Sequence, residues 1–289
     1  MFIMRTAPGA ASIVAPLLLS LGLVACLPPG AAEEPDAGLA ADAGAGRPDA
    51  GRTPGIWAPE PGTTWQWQLS GTIDTSVDVK MYDVDLFNAP QATIDKLHAD
   101  GRVVICYFSA GTWEPGRPDS ADFPDVVLGD NVTTRPAERW VDVRKPELRA
   151  VMTARMDLAV SKHCDGIEPS NVDVLFNETG FGLNTADSLQ YARFLAREGH
   201  ARMLSVGLKN DFDQVTLLYT DFDFAITEQC DEHGQCNKLD PFISAGKAVF
   251  DCEYRDPSLQ AGVCANTKPF QVSTILKNTV LDAFVVVCP

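Results

Sequence analysis

From residue 65 onward, short apolar runs that end in polar residues alternate with helical stretches, and this repeating order narrows the possible architectures more than any other feature. Candidate strands fall at 65–69, 79–85, 103–109, 166–170, 204–209, 224–228, 248–253 and 271–276. Helices are predicted at 90–100, 146–162, 185–200 and 241–246; Asn184 or Thr185 can cap the third, and Pro146 suits the first turn of the second. Strand–helix alternation implies a parallel sheet, so an α/β fold of the (β/α)8 TIM-barrel class is expected. Residues 110–141, rich in Gly, Pro and Asp, are predicted to form a long loop over the barrel mouth. In such a barrel the carboxyl ends of the strands share one opening. Asp83, Asp85, Glu168, Lys209-Asn210-Asp211, Glu228-Gln229 and Glu253-Tyr254 all stand at predicted strand ends, so they should converge there. The bland alternative is that these carboxylates cap helices and pair with surface cations.

The segment before the barrel carries processing signals. Arg5 precedes an apolar stretch from about 13 to 25 that is too short to span a bilayer comfortably, and it reads as a signal peptide. It ends in Leu23-Val24-Ala25-Cys26, which resembles a bacterial lipobox with Cys26 as the lipidation site; the alternative is an ordinary signal peptide and a secreted protein. Residues 27–55 hold two Pro-Asp-Ala-Gly repeats and almost no large apolar side chains, the composition of a disordered linker. The expected organisation is therefore 1–26 signal peptide and lipobox, 27–55 linker, and 56–289 one barrel domain. A formal charge of −16 leaves no surplus of cations for phosphates, which argues against a nucleic-acid partner. The acidity either keeps an exported chain soluble or steers a cationic ligand. A monomer is expected, touching the membrane through a lipid anchor only.

Eight cysteines in an oxidising compartment leave seven after Cys26. Cys230 with Cys236, and Cys252 with Cys264, are the candidate disulfides; Cys106 and Cys164 read as small core residues, and Cys288 is unassigned. Metal-site spacings such as His-Glu-x-x-His are absent from the sequence, so no metal and no cofactor is expected.

Several segments, in this order, resemble glycoside hydrolase family 114, whose named activity is endo-α-1,4-polygalactosaminidase. They are Trp-Gln-Trp-Gln-Leu at 65–69, Tyr-Asp-Val-Asp-Leu-Phe at 82–87, Val-Ile-Cys-Tyr-Phe-Ser-Ala-Gly at 104–111, Asp-Gly-Ile-Glu-Pro at 165–169, Val-Gly-Leu-Lys-Asn-Asp at 206–211, Glu-Gln-Cys at 228–230 and Gly-Lys-Ala-Val-Phe at 246–250, with Glu253-Tyr254 after them. The resemblance implies a TIM barrel and a galactosamine-rich polysaccharide as substrate. It also implies a catalytic carboxylate pair at the positions of Ser170 and Glu228. The family's strand-four motif reads Asp-Gly-(Val/Ile)-Glu-Pro-Asp-Asn, whereas residues 165–171 here are Asp-Gly-Ile-Glu-Pro-Ser-Asn.

Ser170 matters because glycoside hydrolysis uses two carboxyl groups, one to protonate the leaving oxygen and one to attack or to activate water. A serine hydroxyl fills neither role without its own base, and no Ser-His pairing is evident. Glu168, on the same side of the strand as Ser170, and Asp173, three residues beyond it, are the candidate substitutes. Three readings follow: a hydrolase using Glu228 with a relocated partner, a lipid-anchored sugar-binding barrel that no longer cleaves, or a catalytic aspartate placed elsewhere. For substrate contacts the candidates are Asp83, Asp85, Tyr107, Trp113, Asn171, Lys209, Asp211, Glu253 and Tyr254. Asp83 and Asp85 could instead accept loop N–H groups, Trp113 could pin its loop, and Lys209 could pair with Asp211. Cys26→Ser is expected to move the protein from the membrane to the soluble fraction; unchanged membrane partition would contradict the lipobox reading.

Overall fold

The computed structural model describes residues 55–289. The expected signal peptide and lipobox at 1–26, with Cys26, and residues 27–54 of the expected linker lie outside the described residues. In chain order the elements are β1 (Trp65–Gln68), β2 (Met81–Asp85), α1 (Gln91–Ala99), β3 (Val103–Ser109), β4 (Thr112–Trp113), β5 (Leu128–Val132), β6 (Arg135–Val141), α2 (Pro146–Ser161), β7 (Gly166–Ser170) and α3 (Thr185–Ala201). They continue with β8 (Ser205–Lys209), α4 (Val215–Leu218), β9 (Phe224–Glu228), α5 (Asp240–Ser244), β10 (Val249–Glu253), α6 (Gln260–Thr267), β11 (Ser273–Leu276) and β12 (Val286–Val287).

Eight parallel strands form one strongly curled, TIM-barrel-like sheet in the order β1-β2-β3-β7-β8-β9-β10-β11, and β12 adds antiparallel to β11. The C-terminal segment bridges the seam between β11 and β1: Leu69 and Ser70 N–H donate to the Leu281 carbonyl at 3.0 and 3.1 Å, and the Gln66 amide donates to Ala283 O at 3.1 Å. The Trp65 indole crosses directly to Ser273 O at 2.8 Å. Inside the curl, Trp65, Trp67, Ile105, Phe224 and Phe250 pack as one apolar cluster, while a second cluster joins the outer strand faces to the helices.

Local chemistry sets the helices. Asn184 accepts from Ala186 N and Asp187 N, and Asp187 accepts from Asn184 N, a reciprocal cap that starts α3 where the sequence places it. Gly199 in the same helix lies so near β8 that a Cβ would come within 2.4 Å of Val206 Cγ2, which explains a glycine in a helix interior. Two His–Asp pairs repeat one lock. His98 meets Asp165 at 2.9 Å and His200 meets Asp223 at 2.8 Å, and each aspartate also accepts from a strand N–H, of Val104 and Val206 respectively. Each lock ties the end of a helix to the start of the sheet. Among the described residues no helix is long and apolar enough to cross a membrane.

Two expectations need correction. Residues 110–141 are not simply a loop, because they fold a separate antiparallel sheet in the order β4-β6-β5. Its strands are half exposed and polar, and the β5–β6 register shifts twice, so period-two alternation never emerges in the sequence. Of the cysteine expectations, Cys230–Cys236 holds, whereas Cys252 does not pair with Cys264, and Cys106 and Cys164 are bridged rather than free core residues. The bridges are Cys106–Cys164, Cys230–Cys236 and Cys264–Cys288, and Cys252 is free and buried. Cys252 on β10 packs in the apolar cluster inside the curl, whereas Cys264 on α6 bonds Cys288 of the returning C-terminal segment. Cys106 and Cys164 lie far apart in sequence, but β3 and β7 are ladder neighbours, which brings their Cα atoms to 6.0 Å.

Arg155 of α2 fastens the inserted sheet to the barrel. Its guanidinium is buried between the rings of Phe87 and Phe123, donates twice to Asp119 at 2.7 and 3.0 Å, and donates to the carbonyl of Ser109 at the end of β3 at 2.5 Å. Breaking a buried pair from one side strands the other charge. Arg155→Ala is expected to lower unfolding stability by about 3–5 kcal/mol in denaturant titration; a loss below about 1 kcal/mol, the range of exposed pairs, would contradict this role.

Candidate active site

Three adjacent strands, β7, β8 and β9, end in the same way: the residue that follows has a left-handed backbone. These are Asn171 (φ 57°), Asn210 with Asp211 (φ 51° and 50°) and Gln229 (φ 59°). Asn and Asp tolerate this region better than other non-glycine residues, and such conformations concentrate at functional sites. The turns leave Ser170, Lys209 and Glu228 side by side at the barrel mouth. Asn210 links two of the strand ends by accepting the Glu228 N–H at 3.0 Å. The β3 end is tied in as well, since Ala110 and Gly111 N–H donate to the Ser170 carbonyl at 2.7 and 3.2 Å. A Cβ on Gly111 would lie 1.7 Å from Asn171 O, so only glycine fits there.

Glu228 is the best-served carboxylate of the site. Lys209 Nζ donates to its Oε2 at 2.7 Å, Asn210 approaches the same oxygen at 3.5 Å, and the Tyr254 hydroxyl donates to Oε1. Burial alone would raise its pKa; the charge and hydrogen bond of Lys209, with Tyr254 and Asn210, outweigh that and hold it below the ordinary glutamate value. Lys209 is fully buried, its ammonium lies 4.2 Å from the centre of the Trp67 ring, and a second carboxylate, Glu168, stands 3.8 Å away. Burial opposes the charge on Lys209, yet Glu228 and Glu168 together keep its pKa above the ordinary lysine value.

Beneath the ammonium, Glu168 and Asp83 are fully buried and their side chains meet. Burial pushes Glu168 up to about 7 against the pull of Lys209; burial and the charge of Glu168 push Asp83 well above the carboxylate range.

Above the ammonium, two adjoining hollows of about 340 and 400 Å³ share Asp173, Phe176, Asn210 and Glu228 in their walls. The inserted sheet borders one through Arg135 and Trp140; the loop after β9 borders the other through His233 and Lys238, facing Asp211. Burial raises Asp173 above the ordinary aspartate value and carries Asp211 to about 7, although Gln214 donates to Asp211. A larger cavity of about 530 Å³, at the starts of β1 and β11, has no Asp or Glu side chain in its wall.

The structure sorts the sequence candidates. Glu228, Asp173, Asn171 and Asp211 line the cleft, and Tyr254 and Lys209 hold Glu228. Lys209 does not pair with Asp211, which bonds Gln214 instead. Glu168 and Asp83 lie below the cleft floor, and Ser170 is buried beside it with 6% exposure. Asp85 is held by Arg117 at 2.7 Å and accepts the N–H of Phe87 and Asn88. Tyr107 lies opposite Glu168 in the β3–β7 register. Trp113 donates its indole N–H to Ser120 O, which pins the inserted segment. Glu253 is fully buried, accepts from Asp231 N and is pushed to about 7 by burial. Sequence reasoning placed Asn210 at the opening without a role and overlooked Phe176, Arg135 and Trp67 as site residues. Asn210 and Trp67 stand within segments already singled out, whereas Phe176 and Arg135 come from irregular or polar stretches that carry no periodic signal.

Residues 46–289 match the model of glycoside-hydrolase family GH114. This chain belongs to glycoside hydrolase family 114. A crystal structure of Aspergillus fumigatus Ega3 in complex with galactosamine is 38% identical to this family 114 chain, covers 80% of it and 97% of the Ega3 chain, and superposes with a TM-score of 0.77. The glycoside hydrolase domain of PelA from Pseudomonas aeruginosa, 13% identical over 77% of this chain and 96% of that domain, shares the fold with a TM-score of 0.64. No curated protein sequence matches the chain.

The depressed pKa of Glu228 has a stability consequence. Its ion pair contributes fully above the ordinary glutamate pKa and is lost as pH falls through the lowered value. Lys209→Met would leave Glu228 and Glu168 unpaired, so their pKa values rise and the penalty fades as acid protonates them. The variant is expected to lose about 3–5 kcal/mol at neutral pH and less below pH 5 in parallel denaturant titrations. A loss that grows on acidification would contradict the arrangement.

Proposed function

We propose that this family 114 protein hydrolyses an α-1,4-linked galactosamine-containing polysaccharide, with Glu228 as the ionised carboxylate and Asp173 as the proton-bearing partner. The observation that carries the reading is that these two carboxyls share the walls of both hollows while their surroundings push their pKa values in opposite directions. Oppositely tuned carboxyls mark an acid and its complement in glycoside hydrolysis. Glu228 attacks the anomeric carbon or activates water. Asp173 protonates the departing oxygen. Glu168, fully buried under Lys209, is the weaker candidate for direct contact with sugar and instead balances the ammonium. The hollows on either side of Asp173 and Glu228 suit a polymer lying across the cleft. Galactosamine as the sugar is supported by the complex of the 38%-identical Ega3.

A second reading, a carbohydrate-binding barrel without turnover, is favoured by one observation: Ser170 occupies the position of the expected aspartate. We further propose export and anchoring through Cys26, with 1–26 as signal and lipobox, 27–55 as linker and 56–289 as the barrel; three disulfides among the described residues support an oxidising compartment.

The test is release of reducing ends from partly de-N-acetylated α-1,4-galactosaminan. The wild type is expected to cleave, and Glu228→Gln and Asp173→Asn are each expected to lower kcat by about 10²–10⁴-fold. A large gain from Ser170→Asp, with Asp173→Asn unaffected, would reject Asp173 as partner. Binding of the polymer without cleavage would select the second reading.

A further inference from the structure

The floor of the cleft holds two buried carboxyls that the proposed chemistry does not use. Asp83 on β2 and Glu168 on β7 meet inside the barrel, where the Trp67 indole N–H also faces Glu168, and none of their four buried oxygens is engaged in a well-formed hydrogen bond. Two ionised carboxylates side by side at zero exposure, with only the ammonium that Glu168 shares with Glu228 to offset them, would cost several kcal/mol per ion. One proton between them turns that repulsion into a hydrogen bond and leaves the pair with a single negative charge. We propose that Asp83 and Glu168 share one proton and act as a positioning pair, which keeps the Lys209 ammonium seated on Glu228 rather than drawn down between themselves.

The distances fit that division, because Lys209 Nζ is 2.7 Å from Glu228 and 3.8 Å from Glu168. The other groups facing the pair do not supply a competing charge. Asp85 is neutralised by Arg117 at 2.7 Å. Burial pushes the Tyr107 phenol and the Cys252 thiol well up, which keeps both protonated, and Trp67 offers Lys209 a ring face. Burial places the Glu168 carboxyl at about 7 and holds Asp83 well above the ordinary aspartate value, so the shared proton is held in acid and leaves as pH rises through neutrality. Its loss adds a second negative charge below Lys209. The ammonium is then pulled away from Glu228, and the working geometry of Glu228 is lost with it. Asp83 and Glu168 touch no substrate in this scheme; they act through Lys209.

The inference rests on Glu228 being the working carboxylate, yet it can be read without turnover. In the folded wild type, the carbon-13 resonance of the Glu228 carboxyl is expected to show a second inflection near neutral pH, where the pair deprotonates. Asp83→Asn, whose amide donates permanently to Glu168, should erase that inflection and remove one protonated-carboxyl band from the infrared difference spectrum. Glu168→Gln, which keeps the volume, should remove the same band and serves if the first variant fails to fold. Where hydrolysis is measurable, Asp83→Asn should extend the alkaline limb of kcat while KM stays unchanged, whereas a merely structural role would lower kcat at every pH. A wild-type Glu228 resonance with no inflection near neutrality, or a difference spectrum with no lost carboxyl band, would overturn the proposal. An intact inflection in a protein that never cleaves the polymer would instead reject the proposed hydrolysis and leave the pair standing.

Discussion

A lysine ammonium buried at the mouth of a barrel is expensive, and the arrangement of the site follows from how Lys209 is compensated. Removing such a charge from water costs several kcal/mol even after relaxation. Here Glu228, Glu168 and the Trp67 ring face surround it, and they arrive from β9, β7 and β1. No two of these groups are close in sequence, so the compensation exists only once the sheet has curled. The same contacts fix the chemistry: a glutamate that burial would protonate is kept ionised because the ammonium and the Tyr254 hydroxyl face it.

That arrangement accounts for the left-handed turns that end three adjacent strands at the barrel mouth. Asn171, Asn210, Asp211 and Gln229 adopt left-handed backbones directly after the strands that carry Ser170, Lys209 and Glu228. The turns aim neighbouring strand ends at one point, and Asn210 and Gly111 lock those ends to each other. The inserted sheet, held down by Arg155, then supplies a wall through Arg135 and Trp140.

The barrel was legible in the sequence because each parallel strand, buried on both faces, reads as a short apolar run, and the polar residue ending it marks its carboxyl end. Asp83, Glu168, Lys209 and Glu228 were all visible as strand ends. Their depth was not, since alternation tells which way a side chain points but not how far below the rim it sits; Asp83 therefore looked like a ligand contact and Glu168 like a catalytic substitute, and both lie fully buried under the floor. The β4–β6 insertion was hidden by its polar strands. The Cys106–Cys164 and Cys264–Cys288 bridges were hidden because ladder order and the returning C-terminus, not loop length, decide which thiols meet. Ser170 was legible as a departure from the family motif, and its burial beside the cleft leaves Asp173 as the carboxyl that shares both hollows with Glu228.

In the proposed reaction, catalysis is centred where Asp173 and Glu228 share the cleft wall. A crystal structure of the Glu228→Gln variant with an α-1,4-linked galactosamine oligomer tests it most directly. Sugar rings are expected in both hollows, with one glycosidic oxygen within hydrogen-bond reach of the Asp173 carboxyl and the adjoining anomeric carbon facing residue 228. An oligomer confined to one hollow, or seated in the cavity at the starts of β1 and β11, would contradict it.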